Sequence, residues 1–270
     1  MRRLIALFAA ATCASCQNLS TPLDYLLNLG DPQPVAEWHT PPDGVRRVVV
    51  LRHGLWRSAA SMAKLERALC AHGYETLNRD YPSTSGSIQE HAARLHGEIE
   101  GYLARPDPLA RPVELYLIGH SMGGLQIRSY LGQPGARQPT ACVFLATPHR
   151  GAVLTDRRKD WLLFKLSMGD RVAPLQLSPG SAFYRTLSPM HCPFGIVYGA
   201  RGDGDGWNDD IPGDDDGTVG VSEAQLEGAV DVVCLPLGHT ALSIDDSSVR
   251  EVLCFLRYGR FASTWRREPN

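Results

Sequence analysis

The sequence predicts an α/β protein: one doubly wound, mainly parallel sheet carrying a lid-like insertion after the sixth-strand region, at about residues 152–190. Three observations predict it. Short apolar runs alternate with longer amphipathic ones. The links between them are short, as sequential elements of one sheet require. And one apolar run, Val113–Ile118, passes directly into the helix-like run Gly124–Leu131 through Gly119-His120-Ser121-Met122-Gly123.

The bulk numbers agree with one such domain over residues 45–270, since 270 residues suit a single α/β unit. Hydrophobic residues make up 43% and charged residues 21%, enough for a large core. The formal net charge is −2, with no basic stripe, no Walker glycine loop and no zinc-type cysteine spacing. No nucleic-acid or nucleotide partner is therefore expected. Seven cysteines are present; Cys142, Cys234 and Cys254 lie in apolar runs and read as small core residues. An oxidised pair is open, and spacing does not select it.

Residues 1–16 read as a leader. Met1-Arg2-Arg3 precedes the apolar run Leu4–Ala11, which is too short to span a bilayer, and small residues follow. Ala14-Ser15-Cys16 resembles a lipobox, with Cys13 where leucine is usual. The expectation is an exported, periplasmic or membrane-anchored protein, with a membrane tether through Cys16; a cytoplasmic protein with an uncleaved helix is the alternative. Residues 17–44, rich in proline and polar residues, form an extended lead-in.

The elements then follow in order. Arg46–Arg52 is apolar at Val48-Val49-Val50-Leu51, as a strand covered on both faces must be. Ser58 reads as the N-cap of a helix with Met62, Leu65 and Leu69 on one face, ending near Gly73. Tyr74–Asp80 is the second strand. Ile88–Leu103 is a helix with Ile88, Leu95, Ile99 and Leu103 at helical spacing. Val113–Ile118 and Ala141–Ala146 are strands. The insertion follows, with the basic cluster Arg157-Arg158-Lys159 and then Trp161-Leu162-Leu163-Phe164. It reads equally as a lid over a site or as a surface helix packed on the sheet. Phe194–Tyr198 is a strand, Gly199–Gly217 a glycine- and aspartate-rich loop, and Val221–Leu226 a short helix. Val230–Leu235 is the last strand, and Ser247–Tyr258 closes the fold as an amphipathic helix.

Glycine, any residue, serine, any residue, glycine between a strand and a helix is the nucleophile-elbow pattern. The turn forces the serine into a strained conformation, and side chains two before or two after it collide. Ser121 is thus the candidate nucleophile. In a doubly wound sheet reactive groups lie beyond the carboxyl ends of the strands. His53-Gly54-Leu55 ends the first strand, so the N–H groups of Leu55 and Met122 are the candidate oxyanion donors. Of nine histidines, His239 follows the last strand in a loop before the last helix and is the candidate base. The acid falls between Ser121 and His239. Asp203 lies nearer a strand end, whereas Asp216 is followed by Gly217 and anchored by Val219 and Val221. Asp203, Asp205 and Asn208 offer hard oxygen ligands, but their spacing completes no known calcium loop, and a solvated acidic loop without a metal is the expectation.

These residues carry a resemblance. From about Val48 to Arg257 the chain resembles bacterial α/β-hydrolase-fold serine lipases and esterases, through five motifs. They are His53-Gly54-Leu55, Gly119-His120-Ser121-Met122-Gly123-Gly124, Thr147-Pro148-His149-Arg150-Gly151, Asp216-Gly217-Thr218-Val219 and Gly238-His239. It departs at Asp215, where relatives carry asparagine, and at Arg150, where many carry glycine. The resemblance implies a catalytic triad of Ser121, Asp216 and His239, an acyl-enzyme and a small-molecule or lipid ester substrate. It implies no organic cofactor. An amidase or thioesterase uses the same triad, and a non-catalytic binding protein on the fold is the rival from another class.

Overall fold

The computed structural model describes residues 44–158 and 172–265. The leader with Cys16, the lead-in up to residue 43, and Trp161, Leu162 and Phe164 of the insertion lie outside the described residues.

The described strands are β1 (Arg46–Arg52), β2 (Glu75–Asn78), β3 (Val113–His120), β4 (Ala141–Leu145), β5 (Phe194–Gly199) and β6 (Asp231–Leu235). They form one sheet in the spatial order β2-β1-β3-β4-β5-β6, and every neighbouring pair is parallel. Parallel strands need covered faces, and the sequence supplies them. On one face α1 (Ala63–Ala71) and α7 (Asp246–Tyr258) bury Leu65, Leu69, Val249, Val252 and Phe255 against Val49, Leu51, Ile118, Val143 and Val197. On the other, α2 (Ile88–Leu103) and α3 (Met122–Leu131) bury Leu95, Ile99, Ile127 and Tyr130 against Val48, Val50, Leu117, Phe144 and Ile196. Successive residues of one strand feed opposite cores, which is why β1 has no polar residue between Val48 and Leu51. Each such aliphatic side chain contributes about 1.5–3 kcal/mol through burial. The doubly wound, α/β-hydrolase type of sheet is as the sequence predicts.

Element ends show where local patterns fail. Ser58 makes no side-chain cap. A 3₁₀ turn, Ala59–Met62, comes first, and the N–H of Ala59 is instead taken by Asp80 Oδ1 at 2.5 Å. That carboxylate arrives from beyond β2, so spacing alone does not reveal it. The second strand is shorter than Tyr74–Asp80, because Tyr74 is held in the turn by a bond to the Leu69 carbonyl. The last strand begins at Asp231, and the short helix α6 covers only Val221–Ala224. Cys142 and Cys254 are buried as expected, but Cys234 is exposed: β6 is the edge strand, and its residues alternate between core and solvent.

Within the described part of the insertion lie α4 (Val153–Arg158), α5 (Val172–Gln176) and a 3₁₀ turn, Ala182–Thr186. α5 crosses the start of α2, where Ala173 N–H meets the Gly86 carbonyl at 2.8 Å and Gln176 Oε1 accepts from Ile88 N–H at 2.7 Å. The chain leaves β1 for β2 on one side and returns to β3 on the other. The carboxyl ends of β1 and β3, paired at Arg52 and Gly119, therefore open at the point where strand order reverses.

Candidate active site

The nucleophile elbow is fixed by sterics. Ser121 sits at φ 54°, ψ −127°, between the last residue of β3 and the first of α3. A non-glycine residue held there costs about 1–3 kcal/mol, which the packed sheet must offset. The Ser121 N–H is tied to the Leu145 carbonyl at 2.8 Å. A Cβ on Gly123 would run into the Arg52 carbonyl, and one on Gly119 into the Gly124 backbone. Both glycines flank the serine because the backbones touch there.

His239 reaches Ser121 from the loop after β6. Its Nε2 lies 3.0 Å from Ser121 Oγ, and its Nδ1 lies 2.8 Å from Asp216 Oδ2. An Nδ1–H donated to the carboxylate leaves Nε2 as the acceptor for the serine hydroxyl. The loop is pinned at the backbone on both sides: His239 N–H donates to the Asp216 carbonyl at 2.8 Å, and its carbonyl accepts from His120 Nε2 at 2.9 Å. The Asp216 side chain is only 1% exposed and that of His239 14%. The second oxygen of Asp216 is not idle; Oδ1 accepts from the N–H groups of Thr218 and Val219 at 2.9 and 2.7 Å. Those bonds lock the carboxylate so that Oδ2 has one direction to face.

Of the two aspartates left open by the sequence, the structure brings Asp216 to His239. Asp203 pairs with Arg201 at 2.7 Å and accepts the N–H groups of Asp205 and Gly206, both at 3.0 Å, on an exposed loop. The hard oxygen ligands that the sequence offers are turned to the same purpose. Asn208 Oδ1 accepts from Asp210 N–H at 3.1 Å, and its Nδ2 donates to the Gly217 carbonyl at 3.1 Å. Among the described residues no group of three or more His, Cys, Asp and Glu side chains is arranged to hold a metal ion. Asp215 is wholly buried and accepts from Gly217 N–H at 2.5 Å and Asn208 N–H at 3.2 Å.

The two candidate oxyanion donors flank the serine. Met122 is the first residue of α3 and is buried. Leu55 follows Gly54, whose added Cβ would stand 2.9 Å from Ser121 Cβ, so the glycine is what lets this turn approach the serine. Among the described residues neither N–H has an acceptor. The remaining histidines near the site are held neutral. Burial pushes His53 down to about 3, and its ring stacks on Tyr81 with centroids 4.1 Å apart. Burial, then the neighbouring His239, lowers His120 well below its ordinary value, and burial does the same to His149. None of them competes with His239, the candidate base.

Around these groups lies an apolar wall: Tyr81, Ile88, Met122, Leu125, Ala173 and Phe183 form one buried cluster, with Leu55 packed against it. Several supporting residues escape sequence reasoning. His120 holds the His239 loop, Arg57 Nη2 donates to Thr240 Oγ1 at 2.5 Å, and the Tyr81 hydroxyl donates to the His53 carbonyl at 2.6 Å. Glu223 accepts from Gly220 N–H at 2.8 Å and from Val153 N–H at 2.7 Å, so it joins the acid loop to the root of the insertion. Each acts across a long sequence separation, and only the adjacency of His120 to Ser121 gives any local signal. Among the described residues no helix is long and apolar enough to cross a membrane.

Residues 44–176 match the model of the family described as "Putative serine esterase (DUF676)". No curated protein matches the chain. Among solved structures, the mature lipase BlEst2 of Bacillus licheniformis is 18% identical, with a TM-score of 0.58 over 85% of this chain and 97% of its own. The phospholipase PlaB of Legionella pneumophila is 15% identical, with a TM-score of 0.60 over 82% of this chain and 62% of its own. A metagenomic carboxyl esterase, MGS0156, is 16% identical, with a TM-score of 0.54 over 85% of this chain and 79% of its own. At these identities the likeness is one of fold. The family match covers residues 44–176, just under half of the chain, and the fold is that of the bacterial α/β-hydrolase lipases and esterases.

Proposed function

We propose that the protein hydrolyses carboxylic esters through an acyl-enzyme on Ser121. His239 takes the Ser121 proton as Oγ attacks the ester carbonyl, and returns it to the departing alcohol. Asp216 keeps the imidazole in the Nδ1–H tautomer and stabilises its charged form. The N–H groups of Leu55 and Met122 hold the developing oxyanion, and the start of α3 adds its dipole. Losing one such donor costs roughly 3–4 kcal/mol of barrier lowering in known cases. Water, activated by His239 in turn, then releases the acid.

The observation that carries this reading is the unbroken chain Asp216 Oδ2–His239 Nδ1 at 2.8 Å and His239 Nε2–Ser121 Oγ at 3.0 Å. The family match supports it, and the apolar wall beside Met122 and Leu55 suits an acyl chain. The neighbours include a lipase and a phospholipase, which favours a lipid or other small ester as the substrate. The apolar run Trp161–Phe164 is read as a contact for longer acyl chains. Hydrolysis of p-nitrophenyl esters by the wild type and by Ser121→Ala tests the reading. The variant is expected to fold and to lose almost all activity; activity within tenfold of the parent defeats the proposal.

A further inference from the structure

Outside the candidate active site, two cysteines meet at the amino ends of β4 and β5. Cys142 is the second residue of β4, and Cys192 stands two positions ahead of β5. Their Sγ atoms lie 3.7 Å apart. The backbone around both is fixed by the sheet: Cys142 pairs with Phe194, and Cys142 N–H donates to the Pro193 carbonyl at 3.0 Å. Cys142 is buried and Cys192 half-buried, so Cys192 is the more accessible residue of the pair.

We propose that Cys142 and Cys192 form a redox site that closes to a disulfide when it meets a low-molecular-weight disulfide. The two residues are 50 positions apart, and between them lie the rest of β4, the Thr147–Gly151 motif, the insertion and the approach to β5. The bond would thus close a loop that contains the rest of β4 and the insertion. The sequence leaves the choice of an oxidised pair open, and the contact between these two sulfurs makes it.

The roles of the two sulfurs follow from their surroundings. Burial holds Cys142 as a thiol, well above its ordinary pKa. The hydrogen bond between the two sulfurs lowers the Cys192 thiol from its ordinary value. Cys192 is therefore the entry point, because thiolate character and access decide reactivity. Its thiolate attacks one sulfur of the reagent, forms a mixed disulfide and expels one thiolate. Cys142 then loses its proton to solvent and attacks the Cys192 sulfur, expelling the second thiolate. In all, two electrons pass from the protein to the reagent, and the two released thiolates exchange protons with solvent. The Sγ atoms must close from 3.7 Å to about 2.05 Å, a distance within reach of side-chain rotation. A cytosolic glutathione pool keeps such a pair reduced, whereas an exported protein keeps it closed.

The test uses the purified full-length chain, reduced and then exposed to oxidised glutathione. Peptide mapping without reductant should recover Cys142 and Cys192 in one cross-linked pair, two hydrogens lighter than the separate thiols. Closing a ring of this size should raise Tm by about 5 °C or more, reversibly on reduction. In Cys142→Ser a glutathione adduct should persist on Cys192, because nothing resolves it. In Cys192→Ser both the cross-link and the gain in Tm should vanish. The proposal is overturned if both thiols stay alkylatable after oxidation, or if wild-type Cys192 retains glutathione or pairs with another cysteine. It is also overturned if the bond forms but lowers Tm, since the native sheet would then be resisting it. None of these readouts depends on esterase activity.

Discussion

The elbow and the acid loop deliver side chains to one point by opposite means. The elbow, Gly119–Gly123, is a matter of exclusion: backbone meets backbone at Gly119 and Gly123, and Ser121 is left at φ 54° because nothing else fits. The acid loop, from Gly199 to Gly220, is a matter of attraction. Its aspartates gather backbone N–H groups: Asp214 takes those of Arg201 and Gly202, Asp215 those of Asn208 and Gly217, and Asp216 those of Thr218 and Val219. A sterically determined turn leaves a mark in the sequence, because only glycine satisfies it. A loop determined by carboxylate–amide bonds leaves seven similar aspartates and no mark of which one faces the histidine.

The largest effect should come from breaking that attraction at its reactive end. Asp216→Asn keeps the shape but favours the wrong tautomer of His239, a change that cost about 10⁴ in turnover in a well-studied protease. A similar loss in kcat is expected here. Asp203→Asn removes only the exposed pair with Arg201 and should change kcat by less than about tenfold. The purified, folded variants decide the matter, and a crippled Asp203→Asn beside an active Asp216→Asn would reverse the assignment of the acid.

Stability should separate the two regions next. Asp215→Ala strips acceptors from two backbone donors in a buried setting, at about 1–3 kcal/mol for each group left unpaired. Gly123→Ala drives a methyl group into the Arg52 carbonyl, and overpacking of this kind costs about 1–3 kcal/mol. Urea unfolding at constant m-value measures both. The elbow variant should also lose activity out of proportion to its stability, because the displaced backbone carries Ser121. If Gly123→Ala is fully active, steric exclusion is not what sets the serine.

This contrast also explains what the sequence discloses. The sheet is legible because β1, β3 and β4 are apolar at nearly every core position, and parallel strands with two covered faces demand that. The serine and the histidine are legible from their places after β3 and β6. The acid is legible only down to Asp203 or Asp216 until the family resemblance selects one. Two expectations fail for a shared reason. Ser58 makes no cap, and Asp80, twenty-two positions later, takes the first N–H of the 3₁₀ turn from across the fold; Cys234 is exposed because β6 lies at the sheet edge. Spacing reports neighbours in the chain, whereas both outcomes are set by neighbours in space. His120, Arg57 and Glu223 stay hidden for the same reason, since each joins segments far apart in sequence.

The smallest expected effect lies in the insertion. Replacing Trp161, Leu162 and Phe164 with serine should lower kcat/KM for long-chain esters more than for acetate esters, if this run meets the acyl chain. Equal losses on both would assign the run to packing instead.

The central claim is that Ser121, with His239 and Asp216 behind it, is an activated nucleophile. A fluorophosphonate probe followed by peptide mapping tests it most directly, since only an activated serine reacts readily with such a reagent. One stoichiometric adduct on Ser121 is expected, greatly slowed in His239→Ala and absent in Ser121→Ala. An unlabelled wild-type protein, or a label that maps to another residue and survives Ser121→Ala, would contradict it.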